Sequence, residues 1–283
     1  MIFPREPQHA ADVGGHYDEL DHAYRDIWGE HVHHGYWRTG RESAAEAVEA
    51  LVDLVAERLE LAPGLAACDI GCGYGATGEY LASRHAARVT GFTLSQAQAR
   101  IGRLRKPAAG SFSCERRDWL DNGLAERSFD RAYAIESSEH MVDKQRFFDE
   151  AARVLRPGGR LVACVWLACE RPGPWEIRHL LEPICREGRL PSMGSRSDYE
   201  AMARRAGFAP LSYLDISREV RRTWSICARR FLVRFPADPR LRKLVFGRGT
   251  KNRSFLLSLP RLILALRTGA MRYGVFAWEK PVG

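Results

Sequence analysis

The stretch Leu65 to His85, LAACDIGCGYGATGEYLASRH, constrains the fold more than any other part of the chain. A short apolar run ends at Ile70, glycines follow at Gly71, Gly73 and Gly75, and a helix-forming segment begins near Ala76. Glycine reaches positive φ without steric cost and lets the backbone approach a ligand closely. The pattern therefore predicts a strand, a ligand-facing turn and a helix N-terminus. In an open α/β sheet, ligands bind beyond the carboxyl ends of the strands, and this turn occupies such an end.

The same plan recurs downstream. ARVTGFTLSQAQARIGRLR (87–105) reads as strand, polar turn and helix, and SFSCERRDWL (111–120) as a third strand closing on an acid and an aromatic. FDRAYAIESSEHM (129–141) predicts a strand running into a loop with two glutamates and a histidine. DKQRFFDEAARVLRPGGRLVACVW (143–166) predicts a helix, a Pro-Gly-Gly turn and a strongly apolar strand. DYEAMARRAGFAPLSYLDIS (198–217) adds a helix and strand, and RYGVFAWEKP (272–281) a final strand. Alternating strands and helices imply a mostly parallel, doubly wound sheet. Ahead of it, RESAAEAVEALVDLVAERLEL (41–61) has apolar residues at helical spacing and stops at Pro63-Gly64.

With 283 residues and 45% hydrophobic content the chain can bury a substantial core, and it shows no repeat, low-complexity tract or linker. No apolar run approaches the roughly 20 residues that span a bilayer, and the start does not read as a signal peptide, so a cytoplasmic protein is expected. The seven cysteines are odd in number, several lie in apolar runs, and none shows zinc-site spacing; reduced, buried thiols are expected. The net charge of +8 is local: Arg218 to Arg272 holds fifteen Lys/Arg and two Asp/Glu, leaving the remainder (28 against 33) at −5. That region suits an anionic surface or ligand, peripheral membrane contact included; its plainer reading is the solvated face of amphipathic helices.

The glycine turn alone is ambiguous, because Gly71, Gly73 and Ala76 also fit a dinucleotide fingerprint. A dinucleotide site usually ends its second strand on an acid that holds the ribose; here the strand ends TGFTLSQAQ, and no Tyr-x-x-x-Lys occurs in the chain. A nicotinamide oxidoreductase becomes the alternative. CDIGCGYG, VTGFTLSQAQ, RDWL, AIESSEHMVDK and RVLRPGGRLV, in this order, resemble the successive motifs of class I S-adenosylmethionine-dependent methyltransferases. DIWGEHVHHGYW (26–37), the segment from ESSEH to RPGGRL, SRSDYEAMARRAGF and RTWSICARR narrow the resemblance to the tocopherol O-methyltransferase-like family.

The resemblance implies an α/β fold with a Rossmann-like seven-stranded, mostly parallel sheet in one domain. Residues 1–62 would form an N-terminal helical cover, 63–218 the cofactor-binding core, 219–270 an inserted helical lid and 271–283 the final strand. It implies S-adenosyl-L-methionine as cofactor, S-adenosyl-L-homocysteine as product, and a hydrophobic or amphipathic small molecule, of prenylated, phenolic, terpenoid or alkaloid type, as acceptor. Asp69, Gly71 and Gly73 would hold the methionine end. Thr93, Leu94 and Gln98 would take the ribose, Asp118 the adenine amino group and Trp119 the adenine face. The backbone at Glu136 would line the methionine portion, and Tyr17 would touch the cofactor.

Candidate bases are Glu139 and His140 after the fourth strand, and His33 and His34 in the cover, both of which are expected to face the acceptor. Imidazole titrates closest to neutrality and suits proton removal; the plainer reading of Glu139 and His140 is a helix-capping region. His31, His33 and His34 lack an accompanying Cys/Asp/Glu set, so no metal is expected. The apolar face Leu256, Leu257, Leu259, Leu262, Ile263, Leu264 and Leu266 either walls the acceptor pocket or packs on the sheet. Neither a base-flipping motif nor an appended nucleic-acid domain is visible, and no nucleic-acid partner is expected. Oligomeric state does not follow from the sequence.

Overall fold

Short apolar runs become strands, and the computed structural model, which describes residues 1–247 and 258–282, joins seven of them in one sheet. They are β1 Ala66–Ile70, β2 Arg88–Thr93, β3 Ser111–Arg116, β4 Phe129–Ile135, β5 Leu155–Ala168, β6 Ala209–Asp215 and β7 Met271–Glu279. Their order is β3-β2-β1-β4-β5-β7-β6, parallel except for β7, which runs antiparallel between β5 and β6. Strand order reverses between β1 and β4. That is the switch point at which two successive crossovers leave to opposite sides and open a crevice.

The helices confirm the sequence pattern where their signals are local. α1 (Ala10–Glu19) and α2 (Asp21–Ile27) form the cover, followed by α3 (Ala44–Leu59). α3 begins at a Ser43/Glu46 capping box and buries Leu51, Val52, Val55 and Leu59. α4 (Ala76–His85) starts directly after the glycine turn and α5 (Gln96–Gly102) after β2. α6 (Lys144–Val154) turns Phe147 and Phe148 onto the sheet's other face, where each fully buried ring stabilises by about 1.5–3 kcal/mol. Between β5 and β6 lie α7 (Pro174–Glu176), a π-helical turn over Ile177–Leu181, α8 (Glu182–Glu187) and α9 (Arg196–Arg205). Between β6 and β7, in the region expected to form a lid, lie α10 (Ser217–Val220), α11 (Arg222–Arg234), α12 (Pro239–Phe246) and α13 (Leu259–Thr268).

Of the apolar lid face, Leu256 and Leu257 lie outside the described residues. Leu259, Leu262 and Leu266 are buried in a cluster with Leu180, Leu181 and Ile184, whereas Leu264 is 42% exposed. This face packs inward and lines none of the cavities described below, so the pocket-wall alternative does not hold for its described residues. Several lid arginines are tied down: Arg230 donates to the Ile27 carbonyl at 2.6 Å, and Arg234 pairs with Asp26 at 3.3 Å. Among the described residues no helix is long and apolar enough to cross a membrane.

Candidate active site

The glycine turn is fixed by the strand beside it. The N–H groups of Gly71 and Cys72 both donate to the Phe92 carbonyl, at 2.9 and 2.8 Å. Gly71 (φ +83°) has no room for a side chain, since a Cβ there would stand 2.3 Å from the Ser137 Cβ. Gly73 and Gly75 also hold positive φ, and α4 opens at Gly75 with its free N–H groups toward the turn.

Above the strand ends lies a cleft of about 690 Å³, measured out to its mouth. Tyr17, Gly71, Gly73, Thr93, Leu94, Gln98, Asp118, Trp119 and Glu136 all line it, together with Val13, Phe92 and His140. Thr93 Oγ1 donates to Gln98 Oε1 at 2.6 Å, which leaves the Gln98 amide N–H groups as donors. Asp118 uses one oxygen to cap Leu120 N at 2.9 Å, and Trp119 is anchored by Nε1 donating to the Phe147 carbonyl at 3.2 Å. The cover closes this side, because Asp18 accepts from Ser95 Oγ and from Ala97 N at the start of α5.

Asp69 stands elsewhere. It lines a smaller cavity that joins the cleft at Val32, Gly71, Gly73 and Ile135, in company with His31, His33 and Thr77. Beside the Tyr133 hydroxyl, its Oδ2 is buried without a hydrogen bond, and burial pushes the carboxyl up to about 7. The expectation that His33 faces the acceptor is corrected here. Its Nδ1 donates to the His34 carbonyl at 2.9 Å, its Nε2 lies 3.3 Å from Thr77 Oγ1, and its ring borders the Asp69 cavity. His34 points the other way, yet it lines no described cavity. The two rings are therefore held on different partners, His33 on Thr77 and His34 on Glu136.

His34 instead locks the end of β4. Its backbone N and its Nδ1 donate to the two oxygens of Glu136 at 2.7 and 2.9 Å, while Trp166 Nε1 and the Tyr273 hydroxyl donate at 3.0 and 2.7 Å. Burial would raise the Glu136 carboxyl, but the interactions with His34 hold it at about 2. Glu136 takes φ +53°, a costly conformation for a side-chain-bearing residue that these four bonds maintain. Its side chain is occupied by protein partners, which leaves its backbone to line the cleft.

A second cavity, about 440 Å³ to its mouth, abuts the cleft and shares Tyr17, Val32, Glu136 and His140 with it. Its walls are Tyr24, Trp28, Trp166, Leu190 and Trp224, with Glu139 at its edge. Trp224 meets Trp28 and Trp166 edge-on, with ring centroids 5.3 and 5.4 Å apart. His140 sits at the junction. Because a carbonyl only accepts, its Nδ1 carries the proton toward the Arg189 carbonyl (3.4 Å), and its Nε2 accepts from the Tyr17 hydroxyl at 3.0 Å. Burial lowers His140 to about 4, and burial likewise keeps the Tyr17 phenol protonated well above its usual range. Glu139 accepts from Trp166 N at 2.6 Å, and burial pushes it up to about 8.

Trp166 carried no functional signal in the sequence, because its apolar run reads as ordinary core; Leu190 was not singled out, and Trp224 entered only within RTWSICARR, a stretch that carries the family resemblance. Among the described residues no three His, Cys, Asp or Glu side chains converge as metal ligands.

The profile of the mycolic acid cyclopropane synthetase family matches residues 5–234. The chloroplastic tocopherol O-methyltransferase of Arabidopsis thaliana is 29% identical over 94% of this chain and 81% of its own. The 27-O-demethylrifamycin SV methyltransferase of Amycolatopsis mediterranei is 34% identical over 78% of this chain and 82% of its own. Among solved structures, the [4+2]-cyclase SpnF superposes with a TM-score of 0.84 at 26% identity, both chains covered completely. The mycolic acid cyclopropane synthase CmaA1, complexed with S-adenosylhomocysteine and CTAB, gives 0.83 at 21% identity over 97% of this chain and 99% of its own.

The donor set fits S-adenosylmethionine. Trp119 and Phe92 offer flat faces for adenine, and the free oxygen of Asp118 an acceptor beside them. The Gln98 amide suits a ribose diol. Asp69, short of one donor, and the α4 N-terminus suit the ammonium and carboxylate of the methionine end.

Proposed function

This chain belongs to the mycolic acid cyclopropane synthetase family and is a class I S-adenosylmethionine-dependent methyltransferase of small molecules, and from that premise we propose that it methylates an apolar or amphipathic acceptor, of prenylated, phenolic, terpenoid or alkaloid type, with His140 as general base. The observation that carries the reading is the position of His140 Nε2, an unprotonated imidazole nitrogen at the one junction of cofactor cleft and aromatic pocket.

When bound, S-adenosylmethionine supplies an electrophilic methyl group. The chain then has three tasks: to orient the acceptor, to exclude water and to take a proton. Trp28, Trp166 and Trp224 supply flat apolar walls for a ring or prenyl chain. Tyr17 holds the Nε2 lone pair until an acceptor hydroxyl or amine takes its place as donor. The Arg189 carbonyl fixes the tautomer that leaves Nε2 free. With its carboxyl raised to about 8, Glu139 is mostly protonated at neutral pH, so its role is to hold Trp166 and the β4 loop.

Incubation of the protein with methyl-labelled cofactor and a panel of prenylated phenols, terpenoids and alkaloids identifies an accepted class, after which His140→Gln and Glu139→Gln are compared on it. His140→Gln should lower kcat about 100-fold while S-adenosylhomocysteine affinity, measured by calorimetry, holds within about twofold. Glu139→Gln, which mimics the protonated acid, should stay within about threefold of the parent in kcat. Full turnover in His140→Gln would overturn the assignment of the base.

A further inference from the structure

Cys72 lies between Gly71 and Gly73 in the turn that lines the cofactor cleft, and methyl transfer makes no use of its thiol. Its Sγ is 3.6 Å from the Sγ of Cys114 on β3, a buried thiol–thiol hydrogen bond. Two glycines make room for the pair. A Cβ at Gly91 would stand 2.8 Å from the Cys72 Sγ, and a Cβ at Gly102 would stand 2.6 Å from the Cys114 Sγ. Gly91 is also the register partner of Cys114 across β2 and β3, so both sulfurs meet over one rung of the ladder. Ala99 and Phe112 close around them. The pair is not sealed off: Cys114 keeps 5% of its surface exposed, and Cys72 borders the small cavity beside Asp69, so a molecule as small as hydrogen peroxide can reach both sulfurs.

We propose that Cys72 and Cys114 form a reversible disulfide that weakens cofactor binding under peroxide stress. In the first step the Cys114 thiolate attacks hydrogen peroxide, the O–O bond breaks, and sulfenic acid and hydroxide result. The Cys72 thiolate then attacks that sulfur, the S–S bond forms, the S–O bond breaks, and a second hydroxide leaves. The two thiol protons neutralise both hydroxides, so two thiols and one peroxide give one disulfide and two waters. The hydrogen bond from Cys72 lowers the Cys114 thiol, which favours Cys114 as the first nucleophile. A small dithiol or glutathione-class thiol reverses the bond by exchange.

The structural consequence follows from which partner can yield. A disulfide needs the sulfurs near 2.05 Å, about 1.5 Å closer than the 3.6 Å of the reduced pair. Cys114 is held along the β2–β3 ladder, whereas the Cys72 turn hangs on a single acceptor, the Phe92 carbonyl that the Gly71 and Cys72 N–H groups share. The turn moves, and Gly71 and Gly73 move with it.

The test uses the full chain and does not depend on the acceptor. Reduced protein is treated with hydrogen peroxide, free thiols are alkylated, and peptides are mapped by mass spectrometry, while S-adenosylhomocysteine affinity is titrated before treatment, after it, and after dithiothreitol. The expected result is a Cys72–Cys114 linked peptide, an affinity loss of about tenfold or more, and recovery on reduction. Cys114→Ser should bind like the reduced parent and lose no affinity on treatment. Absence of the linked peptide, a linked peptide with unchanged affinity, or an equal loss in Cys114→Ser would each overturn the proposal.

Discussion

The two halves of the site are built differently. The cofactor cleft is made mainly by the carboxyl ends of β1, β2, β3 and β4 and the turns that leave them, so most of its lining, from Gly71 to Trp119, is set by the backbone of a parallel sheet, with Val13 and Tyr17 closing over it. The proposed acceptor pocket is made of large side chains from segments far apart in the chain: Tyr17, Tyr24 and Trp28 ahead of the sheet, Glu139 and His140 after β4, Trp166 on β5, Leu190, and Trp224 on α11. Backbone turns tolerate little change in what they bind, whereas a wall of side chains is rewritten by single substitutions. The relatives fit that division: a tocopherol methyltransferase, a rifamycin-type methyltransferase and, among structures, a cyclase share this fold and differ by name in what they act on.

The sharpest way to break this comparison is through the glycines. Gly71→Ala meets both a positive φ and a Cβ 2.3 Å from Ser137, so backbone strain and overpacking add to about 2–5 kcal/mol. Gly73→Ala meets only the backbone cost of about 1–2 kcal/mol, since no atom stands within 4 Å of its Cβ. Thermal melts should show a much larger drop for Gly71→Ala, and its S-adenosylhomocysteine affinity should fall by about 100-fold or more. Equal melts for both variants would mean that the turn is not held as tightly as the Ser137 contact implies.

A pH profile asks which acceptor-side group moves the proton. A general base works deprotonated, so kcat/KM falls as pH drops below its pKa. With His140 near 4, the profile should be flat from about pH 6 to 8 and fall about tenfold per unit only below pH 4. If Glu139 were the base, its value near 8 would make activity climb through neutral pH by about tenfold per unit. A rising limb centred near pH 8, retained in His140→Gln and lost in Glu139→Gln, would transfer the role.

What the sequence revealed follows the same division. The cofactor half was legible because each turn is contiguous: Gly71 and Gly73, then Thr93, Leu94 and Gln98, then Asp118 and Trp119, each directly after a run that reads as a strand. Parallel topology brings those strand ends together without further information. The acceptor half was legible only where polar residues marked it, at Glu139 and His140. Trp166 was invisible because an aromatic in an apolar run looks the same whether it faces core or cavity, and in the arginine-rich RTWSICARR nothing local says which way the Trp224 ring turns. The histidine pair was read as one unit, but the chain bends at His33, which borders the Asp69 cavity while His34 turns to Glu136. The role of Glu136 could not be foreseen either, because its partners Trp166 and Tyr273 lie 30 and 137 residues away.

The smallest expected effect tests the acceptor wall itself. Trp224 is 1% exposed, borders the acceptor pocket and touches Trp28, Trp166 and His34 with its ring. Trp224→Phe keeps an aromatic ring but removes the second one, leaving space where an acceptor ring would have packed. Loss of contact over one such ring face corresponds to about 1 kcal/mol, hence a rise in acceptor KM of about fivefold. The cofactor cleft contains no part of Trp224, so S-adenosylhomocysteine affinity should stay within about twofold, and the pH profile should keep its shape. Steady-state kinetics alongside calorimetry separates the outcomes. A KM rise alone leaves the two halves independent, whereas a matching loss of cofactor affinity would show that the lid couples them through His34 and Glu136.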